Sequence, residues 1–142
     1  MYIAYYKDIV KALSKIIRER LPEKTMVVSV SSAISQQLNR RYRRKDKAAN
    51  VLSFWYSKEY GEIIVCPVVI RREARAQGHT YQYQMTWMIV HGTIHLSGLH
   101  HEKSHVAADR VNRLEQKILR TIFKKEAPNY ESGMGNYGDP DS

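Results

Sequence analysis

The sequence predicts a small α+β domain. Its 142 residues suit one hydrophobic core. Long segments carry apolar residues at helical spacing, and short β-branched runs bounded by turn residues lie between them. Residues 5–21 read as a helix, with Ile9, Ala12, Leu13, Ile16 and Ile17 on one side and Lys7, Lys11, Lys15 and Arg18 opposite. Pro22 ends it. Residues 25–31 (TMVVSVS) read as a strand. Ser31 or Ser32 caps a second helix running to about Arg43, with Ile34 and Leu38 as its buried face. Residues 50–57 (NVLSFWYS) read as a second strand, Tyr60-Gly61 as a turn, and residues 62–66 as a third strand in a hairpin with the second. Pro67 suits the first turn of a helix reaching Ala76, and Gly78 breaks it. In the helix over 81–96, Met85, Met88, Ile89, Gly92 and Leu96 share a face with His91 and His95 beside them, and Gly98 closes it. Residues 103–125 are helical again, with Val106, Val111, Leu114, Ile118, Leu119 and Ile122 as apolar positions. The expected division is one catalytic, metal-binding domain over 1–125 and a disordered acidic tail over 126–142, where Gly, Asn, Asp and Tyr show no period.

Cys66 is the single cysteine, so no intrachain disulfide is possible, and its apolar neighbours suggest a small buried hydrophobe. The first residues lack the features of a signal peptide. The longest apolar run, 63–70, is far short of the roughly 20 residues that a membrane span needs. A cytoplasmic protein with no membrane partner is the expectation. Charge is more informative. The chain holds 23 basic and 14 acidic residues, and four of the acids, with no Lys or Arg, lie from Glu126 onward. A domain that basic suits a polyanionic partner, most commonly nucleic acid.

Five of the six histidines fall between positions 91 and 105. His91 and His95 are four apart, which on a helix puts their Cβ atoms about 5–6 Å apart on one face. Gly98 lets the chain turn back, so His101 can reach the same ion from outside the helix. Three imidazoles and one open position make a catalytic zinc geometry, which predicts one zinc ion per chain on His91, His95 and His101. His100 competes with His101 for the third place, and His105 belongs on the exposed face of the last helix. Zinc peptidases of the HExxH type carry their general base directly after the first histidine. Here that position is Gly92, so the carboxylate is absent where peptide hydrolysis needs it. Phosphodiester cleavage has a less basic leaving group, and a cation can stabilise the developing charge.

Such cations are at hand. Six basic residues and one acid lie between Arg40 and Lys47. Arg40, Arg41, Tyr42, Arg44, Lys45 and Lys47 are the candidate nucleic-acid contacts, with Tyr42 able to stack on a base. Arg43 is the candidate catalytic arginine, its fork suited to a phosphate. An ion pair with Asp46 or Glu62 is the structural alternative for it. His91 is counted as catalytic as well as metal-ligating.

Four blocks in order resemble the YbeY-type rRNA maturation factors, bacterial zinc-dependent endoribonucleases: LNRRYRRKDKAANVLSF at 38–54, GEIIVC at 61–66, VHGTIHLSGLHH at 90–101, and the helix that follows. The resemblance implies a small mixed β-sheet flanked by helices, with the metal site at the end of a central helix. It also implies zinc on the three histidines and Arg43 as the arginine of the family's YR pair. The implied activity is cleavage of single-stranded RNA in 16S rRNA 3′-end maturation and ribosome quality control; ribosomal RNA and the small ribosomal subunit are the expected partners, and a monomer the expected state. The chain departs from the pattern at His100 (usually Asp), at Ala48-Ala49, at Glu62 (usually Asp), in a short loop before Gly61, and in its acidic tail. A zinc peptidase and a non-catalytic, zinc-containing rRNA-binding assembly factor are the rival readings.

Overall fold

Helix α5, Tyr81–Leu96, organises the molecule in the computed structural model, which describes residues 2–99 and 105–123. The acidic tail, His100 and His101 lie outside the described residues. The sequence reading gave α5 one apolar face. In fact every residue from Tyr83 to Ile94 is buried, because the helix has neighbours all round. The strands β2 (Val51–Trp55) and β3 (Tyr60–Val65) flank it on one side. The helices α1 (Tyr2–Ala12), α4 (Pro67–Gln77) and α6 (His105–Ile122) also pack on it.

With β1 (Lys24–Ser29), the strands form one sheet in the order β1-β3-β2. β1 runs parallel to β3 and β2 antiparallel to it, so the sheet is mixed. Val27, Val51, Ile63 and Val65 of its inner face are buried. Gly92 is the point of closest approach. A Cβ there would lie 2.9 Å from Ile63 Cγ2 and 3.0 Å from Val51 Cγ2. No side chain fits at that distance without displacing strand atoms.

Three local expectations need correction. The first helical stretch is two helices, because the Ser14 hydroxyl accepts from Ile17 N–H and starts a new one, α2 (Lys15–Glu19). The break turns Ile16 outward, where it is 73% exposed. Tyr60-Gly61 is strand and not turn, since the reversal falls one step earlier and Tyr60 N–H bonds Ser57 O at 3.3 Å. Val106 of α6, read as apolar seam, is exposed.

The helix α3 (Ser32–Arg43) is capped by Ser31, as expected, but its buried face is polar. Ile34 is exposed and Leu38 half-buried, while Ser35 and Asn39 are buried. Ser35 Oγ donates to Ala49 O at 2.7 Å and accepts from Ala49 N–H at 2.8 Å. Asn39 Nδ2 donates to Lys47 O at 2.8 Å. These bonds satisfy the Ala49 N–H and the Lys47 and Ala49 carbonyls of the 44–50 loop, which a purely apolar face could not do. They fix the basic helix end against the start of β2. Among the described residues no helix is long and apolar enough to cross a membrane.

Candidate metal centre and the cleft around it

The two described histidines of the predicted metal set meet at the end of α5. The ring centroids of His91 and His95 are 4.5 Å apart, the outcome of their four-residue spacing. His91 is 4% exposed, and its Nδ1 lies 2.7 Å from Glu115 Oε2 on α6. Glu115 is itself 1% exposed, and its Oε1 accepts from the Trp87 indole N–H at 3.0 Å. With Nδ1–H given to the carboxylate, Nε2 carries the lone pair that His91 can offer a cation. A carboxylate behind a ligating imidazole fixes its tautomer and ring orientation and raises its basicity. The donor chemistry therefore fits an imidazole-binding metal. The chain leaves α5 through Gly98 at φ +89°, the left-handed turn expected before His101.

Glu115 escaped the sequence reading. Its signal was its register: it lies four residues from both Val111 and Leu119, on the seam that α6 buries. A carboxylate in that seam needs buried partners, and here they are Trp87 and His91.

The basic segment shares this site. A cleft of about 1240 Å³ is lined by His91, Gly92 and His95 from α5, by Tyr42, Arg43 and Lys45 from the end of α3, and by the edge strand β2. Arg20 and Lys58 add positive charge, and Glu19 and Glu23 negative charge. Arg43 and the histidine pair, 48 and 52 positions further along the sequence, thus face one space. Asp46 pairs with Arg40, whose Nε lies 3.0 Å from Oδ1. The bonds from Arg40 and then Gln36 hold the Asp46 carboxyl below its usual range. Glu62 binds Tyr56 and Tyr60. Among the described residues neither acid forms an ion pair with Arg43. Arg41 lies over the Tyr42 ring at 5.4 Å. Arg44 is the left-handed C-cap residue of α3 at φ 58°, and the Lys47 carbonyl takes the Asn39 amide. Of the candidate nucleic-acid contacts, Tyr42 and Lys45 line the cleft.

Two cleft serines are engaged with α5. Ser53 Oγ donates to Gly92 O at 2.7 Å, and Ser97 Oγ to Ile94 O at 2.6 Å.

A family model described as Endoribonuclease YbeY matches residues 2–123. The chain belongs to that family. Among its relatives, the endoribonuclease YbeY of Delftia acidovorans is 40% identical over 93 residues, covering 63% of this chain and 61% of that protein. That of Verminephrobacter eiseniae is 42% identical over 90 residues, covering 61% and 58%. The chain thus spans about six tenths of the length of these relatives. The YbeY of Thermotoga petrophila is 26% identical over 134 residues, covering 91% of this chain and 89% of that one. A solution structure of a Thermotoga maritima protein matches 98% of this chain and 92% of its own with a TM-score of 0.58 at 23% identity, which supports the shared fold alone. In this member of the YbeY family the histidine pair, Arg43 and the edge of β2 line one cleft.

Proposed function

We propose that the chain is a zinc-dependent endoribonuclease that cuts single-stranded RNA, acting in the cytoplasm on 16S rRNA 3′-end maturation and ribosome quality control. The observation that carries this reading is the meeting of His91 and His95 with Arg43 in one basic cleft. His91, His95 and His101 hold the ion, one per chain. When bound, zinc supplies Lewis-acid chemistry, activating water and neutralising charge on a phosphate oxygen. The protein does the rest. Glu115 keeps His91 in the tautomer that presents Nε2. Arg43 grips the scissile phosphate and stabilises the charge that grows on it. Lys45 and the neighbouring basic residues bind flanking phosphates. Because the hydroxyls of Ser53 and Ser97 donate to α5 carbonyls, water is the nucleophile this reading favours over a serine.

The peptidase alternative lacks its base at position 92, and the packing there leaves no space for one. The test is incubation of the purified chain with single-stranded rRNA fragments and with casein, each with and without chelator. RNA fragments that vanish on chelation are the expected result. Casein fragments would favour the peptidase, and RNA bound but uncut would favour the assembly factor.

A further inference from the structure

The sheet face turned away from α5 carries aromatic rings that this chemistry does not use. Successive strand residues point to opposite faces. Val51 and Ser53 lie against Gly92 on the α5 side, so Phe54 points the other way. Phe54 pairs with Glu62 across the hairpin, and Tyr60 and Tyr56 continue the same face at its turn. The rings form a line. Tyr42 meets Phe54 edge-on at 5.1 Å, Phe54 lies 6.3 Å from Tyr56 at 24°, and Tyr56 lies 5.7 Å from Tyr60 at 19°. Glu62 ties the outer pair, accepting from the Tyr56 hydroxyl at 2.9 Å and from the Tyr60 hydroxyl at 2.6 Å. Partial burial and then the bond to Glu62 push the Tyr56 phenol up to about 12, so it stays a neutral donor. Tyr42 is 56% exposed and Tyr56 59%, so these are not core aromatics.

We propose that this line is a base-stacking track for single-stranded RNA, carrying the nucleotides next to the cut phosphate as the strand passes out of the cleft. The proposal rests on the ribonuclease reading above. Two observations choose RNA as the occupant. The line is continuous with the cleft, since Tyr42 and Phe54 both line it beside Arg43. Its inner end is cationic, with Arg41 over Tyr42 and Lys45 in the cleft wall. Aromatic rings on an open sheet face accept the flat face of any unpaired base, while bases in a duplex are stacked on one another and unavailable. A preference for single strands then has a physical cause in this chain. Glu62 holds its two tyrosines in place before the strand arrives, so little side-chain freedom is lost on binding.

The test uses the full chain, stripped of metal so that RNA is bound and not cut. Affinity for a short single-stranded RNA is read by fluorescence anisotropy, and stacking by quenching of 2-aminopurine placed at successive positions. The wild type should quench the probe at one position or more. The double variant Tyr56→Leu/Tyr60→Leu should bind at least about tenfold more weakly, the scale of one or two lost stacks, with its salt dependence unchanged. Tyr56→Phe/Tyr60→Phe keeps the rings and should stay within about threefold of wild type. Abasic nucleotides at the quenched positions should weaken wild-type binding by a similar factor, which tests the track without altering the fold. Wild-type affinity in the leucine variant, or a loss that comes with a weaker salt dependence, overturns the track and leaves the ribonuclease reading standing. A changed oligomeric state with unchanged RNA binding would give the face to a second copy of the chain, and also overturns it. If the metal-loaded wild type neither binds nor cuts RNA, the function and the track fall together.

Discussion

Glu115 connects α6 to His91 of the candidate metal centre through a single carboxylate, and its removal has consequences that differ from those of removing a proposed ligand. Glu115→Gln can still accept a hydrogen bond but loses the charge behind His91. Zinc affinity should fall by about 10- to 100-fold, the usual scale for such partners, as measured by competition with a chromogenic chelator. His95→Ala should go further and drop zinc content sharply, because two ligands rarely hold the ion. Full zinc retention in His95→Ala would mean that the histidine pair is not the site. At the third position, His101→Ala should lose metal and His100→Ala should keep most of it; the reverse would shift the ligand by one residue. The histidine spacing and the basic run were legible in the sequence because each is local, set by helix geometry or by composition. Glu115 was not, because its role depends on α6 returning to His91 from 24 positions away. The same limit hid the partners of Asp46 and Glu62, both of which were weighed as partners for Arg43.

At the scale of elements, α5 and β2 must touch for the cleft to have its shape. Gly92→Ala would place a Cβ 2.9 Å from Ile63 Cγ2 and 3.1 Å from Ser53 Oγ. Overpacking of this kind costs about 1–3 kcal/mol, so thermal or urea unfolding should show a loss on that scale, with RNA cleavage reduced as β2 shifts. An unchanged Tm would mean that the strands yield more easily than close packing implies. The polar face of α3 makes a second case. Apolar periodicity marked the helix and its serine cap correctly, but it assigned the buried side to Ile34 and Leu38. That side must satisfy the 44–50 loop, so Ser35 and Asn39 take it. Periodicity reads burial of apolar surface and is blind to a backbone that needs donors and acceptors. For the same reason it ran α1 and α2 together as one helix, since a single serine hydroxyl decides the break between them. The strands and the hairpin were legible because β-branched and aromatic residues there coincide with the observed register.

For the molecule as a whole, stability should depend on pH through His79. Burial holds the His79 imidazole below its ordinary value of 6.5, with its bond to Gln84 opposing in part. The folded chain therefore binds this proton less readily than the unfolded chain. The stability that follows is present above the ordinary histidine value and is lost as pH falls through the lower folded one. His79→Gln should flatten that part of the acid limb in metal-free protein, read from urea midpoints across pH 5–8; an identical limb would place the titration elsewhere. The cleft makes the larger claim, that zinc ligands and a phosphate-gripping arginine 48 positions before the first of them act on one bond. Arg43→Ala tests it most directly, with zinc content, Tm and cleavage of single-stranded rRNA measured on one preparation. The prediction is full zinc, a Tm within a few degrees of wild type, and cleavage lower by about two to three orders of magnitude, with Arg43→Lys restoring only part because it lacks the paired donors. Normal cleavage by the zinc-loaded Arg43→Ala protein would contradict it.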